Sequence, residues 1–344
     1  MAVAVGVDAG TSTFDVFALK DGRPVFRRSI PTKEVRKHPE SVLRAIEDAR
    51  PDAIAGLSGY GLPVKRFCEL TDRDIVLMTL NFDDVVVGLR KVVELVRDEF
   101  GKIAWTVPGV IHLPTVPEHR KINRIDMGTS DKLCSVALAM YQLKEMGIPV
   151  KKQNFVLVES GYGFNAFIAV KNGKVVDGIG GTSGFPSFSS LGSLDGELAY
   201  LLSNFPKSLL FKGGIRSLLK DMGIESDFDN LPRFAVEWLC EFLVKGIRAV
   251  SCSLEDYDVV VSGKFFDLYY EDFVDFSGID AVKLEGFGIA KNSAEGAAII
   301  ADGLMGWNYG DIVDALEIRR ARGSALDYIT SDVREFLKTS MTFK

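Results

Sequence analysis

The chain has 344 residues, 47% of them hydrophobic and 26% charged, which is long enough for two domains with separate cores. Its formal net charge of -6 and pI near 5.3 argue against nucleic acid as the main partner. We expect a cytoplasmic protein that does not bind a membrane, because the N-terminus lacks a signal-peptide pattern and no apolar run approaches the roughly 18 residues that span a bilayer.

The first third of the chain predicts a three-stranded meander followed by helices and strands. Strands are predicted at 2–7, 13–19, 24–30, 52–57, 74–78 and 103–107, and helices at 39–49 and 83–100. The second and third strands are joined at Asp21-Gly22, a pair typical of a two-residue hairpin. Prolines at 108, 114 and 117 then break the pattern, and we interpret this stretch as the connection between two halves.

The rest of the chain repeats this arrangement. A helix begins at Thr129-Ser130-Asp131. Strands are predicted at 155–158, 164–170, 174–177, 257–261 and 281–284, and helices at 196–203, 208–222, 232–252 and 293–305. The repeated meander predicts an α/β protein with a duplicated ribonuclease-H-like fold, in which each of two domains has a mixed five-stranded sheet and flanking helices. We place the boundaries at 1–125, 126–305 and a C-terminal helical segment, 306–344.

The two halves also carry matching glycine-rich turns. In each half an apolar strand ends in an acidic residue, and small residues follow. The acidic residue lies 14 positions before a hairpin glycine: Asp8 before Gly22, and Glu159 before Gly173. If the turns face each other, they line a cleft with backbone N–H groups, hydroxyls and two carboxylates. Such walls suit ATP with Mg²⁺, since donors contact the phosphates and carboxylates hold the metal.

These patterns predict a set of site residues. The predicted cofactor-binding residues are Gly10, Thr11, Ser12, Thr13, Gly161, Gly163, Ser262, Gly263 and Lys264. Asp8 and Glu159 are the predicted metal ligands. Asp8, Asp126 and Glu159 are the predicted catalytic residues. If the acceptor is a hydroxyl, Asp126 or Asp131 would serve as its base. The alternatives are structural: a hairpin turn, a glycine bulge and a simple βα turn, respectively, for the three cofactor-binding segments.

Other features leave two interpretations open. Asp15 either faces the metal or is a solvated strand residue. Ser58-Gly59-Tyr60-Gly61 repeats the tetrapeptide at 160–163, by chance or as an acceptor contact. A basic group at Arg120, Lys121 and Arg124 is either an anion site or solvated surface. The four cysteines contain no C-x-x-C pair, which argues against a zinc or iron–sulfur site.

Several of these motifs resemble the acetate and sugar kinase, heat-shock-70 and actin superfamily. Residues 8–13 match its first phosphate motif, 159–165 lie where the second belongs, and 259–263 resemble its adenosine motif. Gly128-Thr129-Ser130, residues 172–177 and Gly184-Phe185-Pro186 are similar to acetate and butyrate kinases, and most specifically to an archaeal family called predicted butyrate kinases. The resemblance covers most of residues 3–305 and implies an actin-like ATPase fold.

The resemblance implies an ATP- and Mg²⁺-dependent phosphotransferase that acts on a small carboxylate, and a homodimer is compatible with it. The acetate kinase histidines are replaced here by Met127, Asp131 and Glu159. The arginines of that family are not evident, and 56–58 and 189–190 hold only small residues and leucine where we expect them. Two alternatives therefore stay open: a kinase for a small hydroxyl acceptor, and an ATPase switch or assembly protein without a small-molecule acceptor.

Overall fold

The computed structural model describes residues 2–80 and 88–337, which form two five-stranded sheets with surrounding helices. The strands are β1 (Val3–Ala9), β2 (Thr13–Lys20), β3 (Arg23–Pro31), β4 (Ala53–Gly56), β5 (Ala104–Trp105), β6 (Phe155–Ser160), β7 (Asn165–Lys171), β8 (Lys174–Ile179), β9 (Asp258–Ser262) and β10 (Ala281–Lys283). The helices are α1 (Thr32–Val35), α2 (Glu40–Ala49), α3 (Asp72–Thr79), α4 (Leu89–Phe100), α5 (Glu118–Lys121), α6 (Ser130–Glu145), α7 (Gly196–Leu202), α8 (Ile215–Asp221), α9 (Arg233–Val250), α10 (Lys264–Ser277), α11 (Asn292–Leu304), α12 (Gly310–Ala315) and α13 (Ser331–Arg334).

The two sheets have the same topology. Their strand orders are β3-β2-β1-β4-β5 and β8-β7-β6-β9-β10. In each sheet the first three strands are antiparallel neighbours, and the last two run parallel to the first strand of the meander. The predicted duplicated ribonuclease-H-like fold with two mixed five-stranded sheets is therefore confirmed. We call the first sheet with its helices the N-terminal lobe and the second the C-terminal lobe.

Three hydrophobic cores hold the layers together. Helices α2 and α4 cover the outer face of the first sheet, and α9 and α10 cover the outer face of the second. Helices α6, α11 and α12 fill the space between the sheets. The approach is close: a Cβ on Gly6 of β1 would lie 2.0 Å from the carbonyl oxygen of Ala294, and one on Gly296 would lie 1.8 Å from that of Cys134. Glycine at these two positions lets α11 pack directly on β1 and on α6.

Helix α11 returns the chain to the first sheet. It follows β10 in sequence but contacts β1, β2 and β4. The boundaries at 125 and 305 stay a prediction, and we propose that α11 is counted with the N-terminal lobe. The segment after 305 also joins the central core, through buried Ile312, Val313 and Leu316. Among the described residues, no helix has the length and apolar composition needed to cross a membrane.

Two local predictions were wrong. The apolar run 74–78, predicted as a strand, lies in α3, because Thr71 and Asp74 form a reciprocal capping box that starts a helix. The predicted helix 208–222 is split into the 3₁₀ turn Lys207–Phe211 and α8, since Gly213 adopts a φ of 82° between them. Of the predicted helix 83–100, the part from 89 is α4, and residues 83–87 lie outside the described residues.

Candidate functional site

A cleft of about 1300 Å³ lies between the two lobes, and both glycine-rich turns line it. Its volume exceeds the roughly 300–1,000 Å³ of most small-molecule sites, so it has room for a nucleotide and a second small molecule. Of the predicted site residues, those that line the cleft are Asp8, Gly10, Thr11, Ser12, Asp126, Glu159, Gly161, Gly163, Ser262, Gly263 and Lys264. Thr13 does not line it. Its hydroxyl donates to Asp15 Oδ2 at 2.7 Å, within β2.

The first turn joins β1 to β2 and is fixed by backbone hydrogen bonds and by Thr32. The Gly10 amide donates to the Thr13 carbonyl oxygen at 3.0 Å, and Thr32 of α1 donates through its amide to Ser12 O at 2.9 Å and through its hydroxyl to Gly10 O at 2.7 Å. Thr11 and Ser12 are exposed. These contacts hold the turn while leaving two hydroxyl side chains available to a ligand.

Asp8, at the base of this turn, is buried and lies near a lysine from the start of α11. Lys291 Nζ is 3.5 Å from Asp8 Oδ2, 3.3 Å from Asp15 Oδ2 and 3.2 Å from the Thr13 carbonyl oxygen. Burial raises the pKa of the Asp8 carboxyl to about 6, against the opposing effect of Lys291 and together with repulsion from Asp131. Lys291 is a site residue that the sequence did not reveal, because it is 283 residues from Asp8 in the chain.

The second turn joins β6 to β7 and is anchored to the C-terminal lobe. The Gly161 amide donates to Phe164 O at 3.2 Å, and the Ser187 hydroxyl donates to Gly163 O at 2.5 Å. A Cβ on Gly161 or Gly163 would meet no atom within 4 Å. Packing therefore does not require glycine at either position, and the space that a side chain would fill belongs to the cleft.

Glu159, at the base of the second turn, is fully engaged by the protein. Its Oε1 is 2.5 Å from Lys132 Nζ, and its Oε2 accepts a hydrogen bond from Ser135 at 2.9 Å. Lys132 also lies 2.7 Å from Asp131 Oδ2, and Asp131 accepts a further bond from the Thr129 hydroxyl. Burial alone would lower the pKa of Lys132, but Asp131 and Glu159 outweigh it and raise that pKa well above its usual value. Lys132 is therefore a fixed cation in the cleft wall, and the predicted metal role of Glu159 stays a prediction.

Lys132 and Lys291 are outnumbered by the carboxylates that pair with them. Asp8, Asp131 and Glu159 line the cleft and Asp15 lies behind it, so this ion-pair group of four carboxylates and two ammonium groups has two formal negative charges in excess. The described residues contain no preformed cluster of three metal-ligating side chains. Mg²⁺ in nucleotide sites needs only one or two carboxylates, since phosphates and water complete its shell. The residues present therefore fit Mg²⁺ bound together with a nucleotide, with Asp8 as the carboxylate least committed to protein partners.

The segment at the end of β9 closes one end of the cleft, which we call the β9 end (262–264, 283–284 and 292–293). Ser262 Oγ accepts a hydrogen bond from Asn292 Nδ2 at 2.8 Å. Gly263 has a φ of 99°, and a Cβ there would lie 2.4 Å from Ser160 O, so the backbone passes close to β6. Lys264 points its ammonium to Asp229, with Phe228 nearby.

Another part of the cleft lining, which we call the β4 end, is formed by 58–60, 78–79 and their neighbours. The Gly59 carbonyl oxygen accepts from the amide and the hydroxyl of Ser130, at 2.9 and 3.0 Å, so this loop is tied to the start of α6. Tyr60 lines the cleft, and burial together with Asp126 raises the pKa of its hydroxyl. Residues 58–60 of the tetrapeptide thus line the cleft, and an acceptor contact there stays a prediction.

Asp126 also lines the β4 end, but its carboxylate holds neighbouring backbone. Its Oδ1 accepts from the Gly128 amide at 3.2 Å, and its Oδ2 accepts from the amide and hydroxyl of Thr182 at 3.0 and 2.9 Å. Its predicted catalytic role stays a prediction. Arg120 and Lys121 do not line the cleft: Arg120 lies 3.4 Å from Asp177, and Lys121 donates to Leu113 O at 2.8 Å.

The matching family model covers residues 6–331 and is described as a protein of unknown function, DUF1464. The chain belongs to this family. No curated protein matches it in sequence.

Solved structures of two kinds of kinase share the fold of this DUF1464 protein. A propionate kinase from Francisella tularensis subsp. tularensis SCHU S4 superimposes with a TM-score of 0.56 at 12% identity, covering 87% of this chain and 98% of that one. An acetate kinase from Entamoeba histolytica gives 0.54 at 12% identity, covering 80% and 86% respectively. An acetate kinase from Porphyromonas gingivalis gives 0.50 at 15% identity, covering 76% and 82%. At these identities the similarity establishes a common fold.

Proposed function

We propose that this protein is an ATP- and Mg²⁺-dependent phosphotransferase that binds the nucleotide between its lobes. The observation that carries the proposal is the meeting of both glycine-rich turns at one cleft, beside an ion-pair group in which four carboxylates face two lysines. Phosphoryl transfer depends mainly on positioning and charge neutralisation, and this arrangement offers both.

Hydroxyls, backbone groups and two lysines of the chain are placed to contact the triphosphate. The exposed hydroxyls of Thr11 and Ser12 and the open space over Gly161 and Gly163 suit phosphate oxygens on opposite walls. Lys132 is held in place by Glu159 and Asp131, so its remaining N–H is a preorganised donor for a phosphate oxygen. Lys291 is held only by contacts of 3.2–3.5 Å, so we expect it to turn from Asp8 toward phosphate when nucleotide binds.

Mg²⁺, when bound with ATP, would neutralise charge that develops on the transferred phosphoryl group. We propose Asp8 as the side chain that faces the metal, directly or through a water molecule. Glu159 in this scheme positions Lys132, and it binds metal only if it is released from that lysine.

A small carboxylate is the acceptor that the β4 end supports best. A carboxylate is ionised at neutral pH and needs no general base. A hydroxyl acceptor needs a general base, and Asp126, the predicted base at the β4 end, already accepts from three donors. The motifs shared with acetate and butyrate kinases, including the archaeal predicted butyrate kinases, point to the same acceptor class.

The test is ADP production from ATP and Mg²⁺ with a panel of short fatty acids, hydroxy acids, sugars and small alcohols. The proposal expects a sharp rise in rate with one class of acceptor, and specifically with carboxylates. A uniformly low rate with every acceptor, together with a nucleotide-dependent change in size or partner binding, would contradict it and favour an ATPase switch.

A further inference from the structure

Lys207 reaches across the cleft from the C-terminal lobe to the N-terminal lobe. It begins the 3₁₀ turn Lys207–Phe211 and lines the cleft. Its Nζ donates to the carbonyl oxygens of Leu80 and Thr79, at 3.0 and 3.2 Å, and lies 5.5 Å from the centre of the Tyr60 ring. The ammonium group is therefore placed at the β4 end of the cleft.

The contacts of Lys207 leave its charge without a carboxylate partner in residues 2–80 and 88–337. Both of its hydrogen-bond acceptors are neutral carbonyls, and no acidic side chain of those residues acts on its charge. Burial accordingly lowers the pKa of its side chain. A partly desolvated ammonium that faces a cleft, with an N–H still to donate, is a favourable position for an anionic ligand.

The turn that carries Lys207 is anchored beside the second glycine-rich turn. The Ser190 hydroxyl donates to Leu210 O at 2.7 Å, and the Leu191 amide donates to Lys212 O at 2.8 Å. Phe211 packs edge to face on Phe164, with ring centres 5.2 Å apart. Lys207 is thereby fixed relative to the wall that we propose for the terminal phosphate.

The surroundings of Lys207 are largely apolar. The apolar side chains that line the cleft near this turn are Met78, Leu89, Phe164, Leu210 and Phe211. The other cation there, Arg90, is paired with Glu94 at 3.2 Å. The β4 end thus combines one ammonium without an acidic partner among the described residues and a hydrocarbon wall, which is the chemistry that recognises a small anion with an apolar body.

We infer that Lys207 binds the carboxylate of the acceptor and that accepted molecules are short carboxylic acids whose hydrocarbon part lies on this apolar wall. The inference rests on the proposed phosphotransferase function and assigns its acceptor specificity to one residue. Lys132 and Lys291 flank the glycine-rich turns instead, so the three lysines divide between acceptor and triphosphate.

The inference is tested by calorimetric binding to the full-length protein, with and without MgADP. The ligands are straight-chain carboxylates of two to six carbons and, as an uncharged analogue, butyramide. We expect Lys207→Met to weaken butyrate binding on the order of 10- to 100-fold and to leave butyramide unchanged, because a charge-assisted hydrogen bond is lost while the aliphatic stem is kept. Lys207→Arg should recover part of the loss, and ATP affinity should not change.

Lys212→Met is the matched control, since Lys212 belongs to the same segment, is exposed and does not line the cleft. It should bind butyrate like the wild type. Failure of the wild type to bind any of the carboxylates would overturn the inference. So would an equal loss of butyrate and butyramide in Lys207→Met, or a loss of ATP affinity and stability alone, which would make Lys207 only a contact between lobes.

The binding assay needs no turnover, so the two proposals fail separately. Lys207-dependent butyrate binding without any acceptor-dependent ADP production would refute the phosphotransferase and leave an anion site. Acceptor-dependent turnover whose KM for carboxylate is unchanged in Lys207→Met would refute the role of Lys207 and leave the kinase.

Discussion

The two glycine-rich turns have the same sequence pattern, but their carboxylates have different surroundings. Asp8 lies 3.5 Å from Lys291 and also interacts with the Ser293 hydroxyl, and burial raises its pKa to about 6. Glu159 is held by Lys132 at 2.5 Å and by Ser135 at 2.9 Å. A duplicated fold therefore need not duplicate the roles of matching residues. One acidic residue is left available for a ligand cation, and the other is used to fix a protein cation.

The glycines of the two turns also differ in their surroundings, and replacing Gly161 gives the largest expected effect on MgATP affinity. Gly161→Val should lower MgATP affinity by at least about 100-fold and leave Tm close to that of the wild type, since its side chain would enter the cleft and meet no protein atom within 4 Å. Gly10→Val should lower both, because a Cβ there would lie 2.8 Å from Thr13 O and 2.3 Å from Lys291 Nζ.

Calorimetric titration with MgATP and thermal unfolding of both variants would check this difference. Normal ATP affinity in Gly161→Val would show that the second turn does not border the nucleotide.

Removal of the fixed cation should be the most costly single change to stability. Lys132→Met leaves Asp131 and Glu159 facing each other without compensation, and we expect a loss of about 3–5 kcal/mol in the free energy of unfolding. The double variant Lys132→Met/Glu159→Gln should recover a large part of that loss, because one of the two uncompensated charges is gone. Urea denaturation measures both. Additive losses in the double variant would mean that Lys132 and Glu159 are not coupled.

Asp8 should reduce stability at neutral pH while serving function. A carboxyl whose pKa rises from 3.8 unfolded to about 6 folded favours folding while it is protonated, so its cost develops as pH rises from about 4 to about 6. We therefore expect Asp8→Asn to increase the free energy of unfolding by about 1–3 kcal/mol at pH 7.5. At pH 3.5 the two proteins should be nearly equal. Urea denaturation at several pH values checks this, and a variant less stable than wild type at pH 7.5 would refute it.

Thr13 should have the smallest effect of the predicted site residues. Its hydroxyl is bonded to Asp15 and it does not line the cleft, so Thr13→Val should change the free energy of unfolding by about 1 kcal/mol and leave ATP affinity within about threefold. Ser12→Ala is the comparison variant, since Ser12 does line the cleft. If Thr13→Val weakens ATP binding more than Ser12→Ala does, then Thr13 rather than Ser12 contacts the phosphate, and the proposed set of contacts in the first turn is wrong.

Local chemistry made most of the fold predictable. The hairpins at Asp21-Gly22 and Asn172-Gly173 have positive φ at all four residues, as a two-residue turn requires, and they set the meander of each sheet. The error at 74–78 arose because four consecutive apolar residues fit a buried strand as well as a helix. The capping box at Thr71 and Asp74 was the signal that distinguishes the two.

The site was predictable only where it follows the strand ends. The turns after β1, β6 and β9 are local features, and they do line one cleft. Lys132, Lys291 and Lys207 were missed, because each contributes through a contact that depends on how a helix or loop packs on a distant element. Lys291 approaches Asp8 only because α11 lies on β1, and no spacing in the sequence encodes that approach.

We propose that Asp8, and not Glu159, couples nucleotide binding to the metal. The most direct measurement is the affinity for ATP with and without Mg²⁺ in the wild type, Asp8→Asn and Glu159→Gln. We expect Mg²⁺ to strengthen ATP binding in the wild type and in Glu159→Gln. The overall ATP affinity of Glu159→Gln should be lower, because Lys132 is held less firmly. In Asp8→Asn the strengthening by Mg²⁺ should be lost. Full Mg²⁺-dependent strengthening in Asp8→Asn would contradict this proposal.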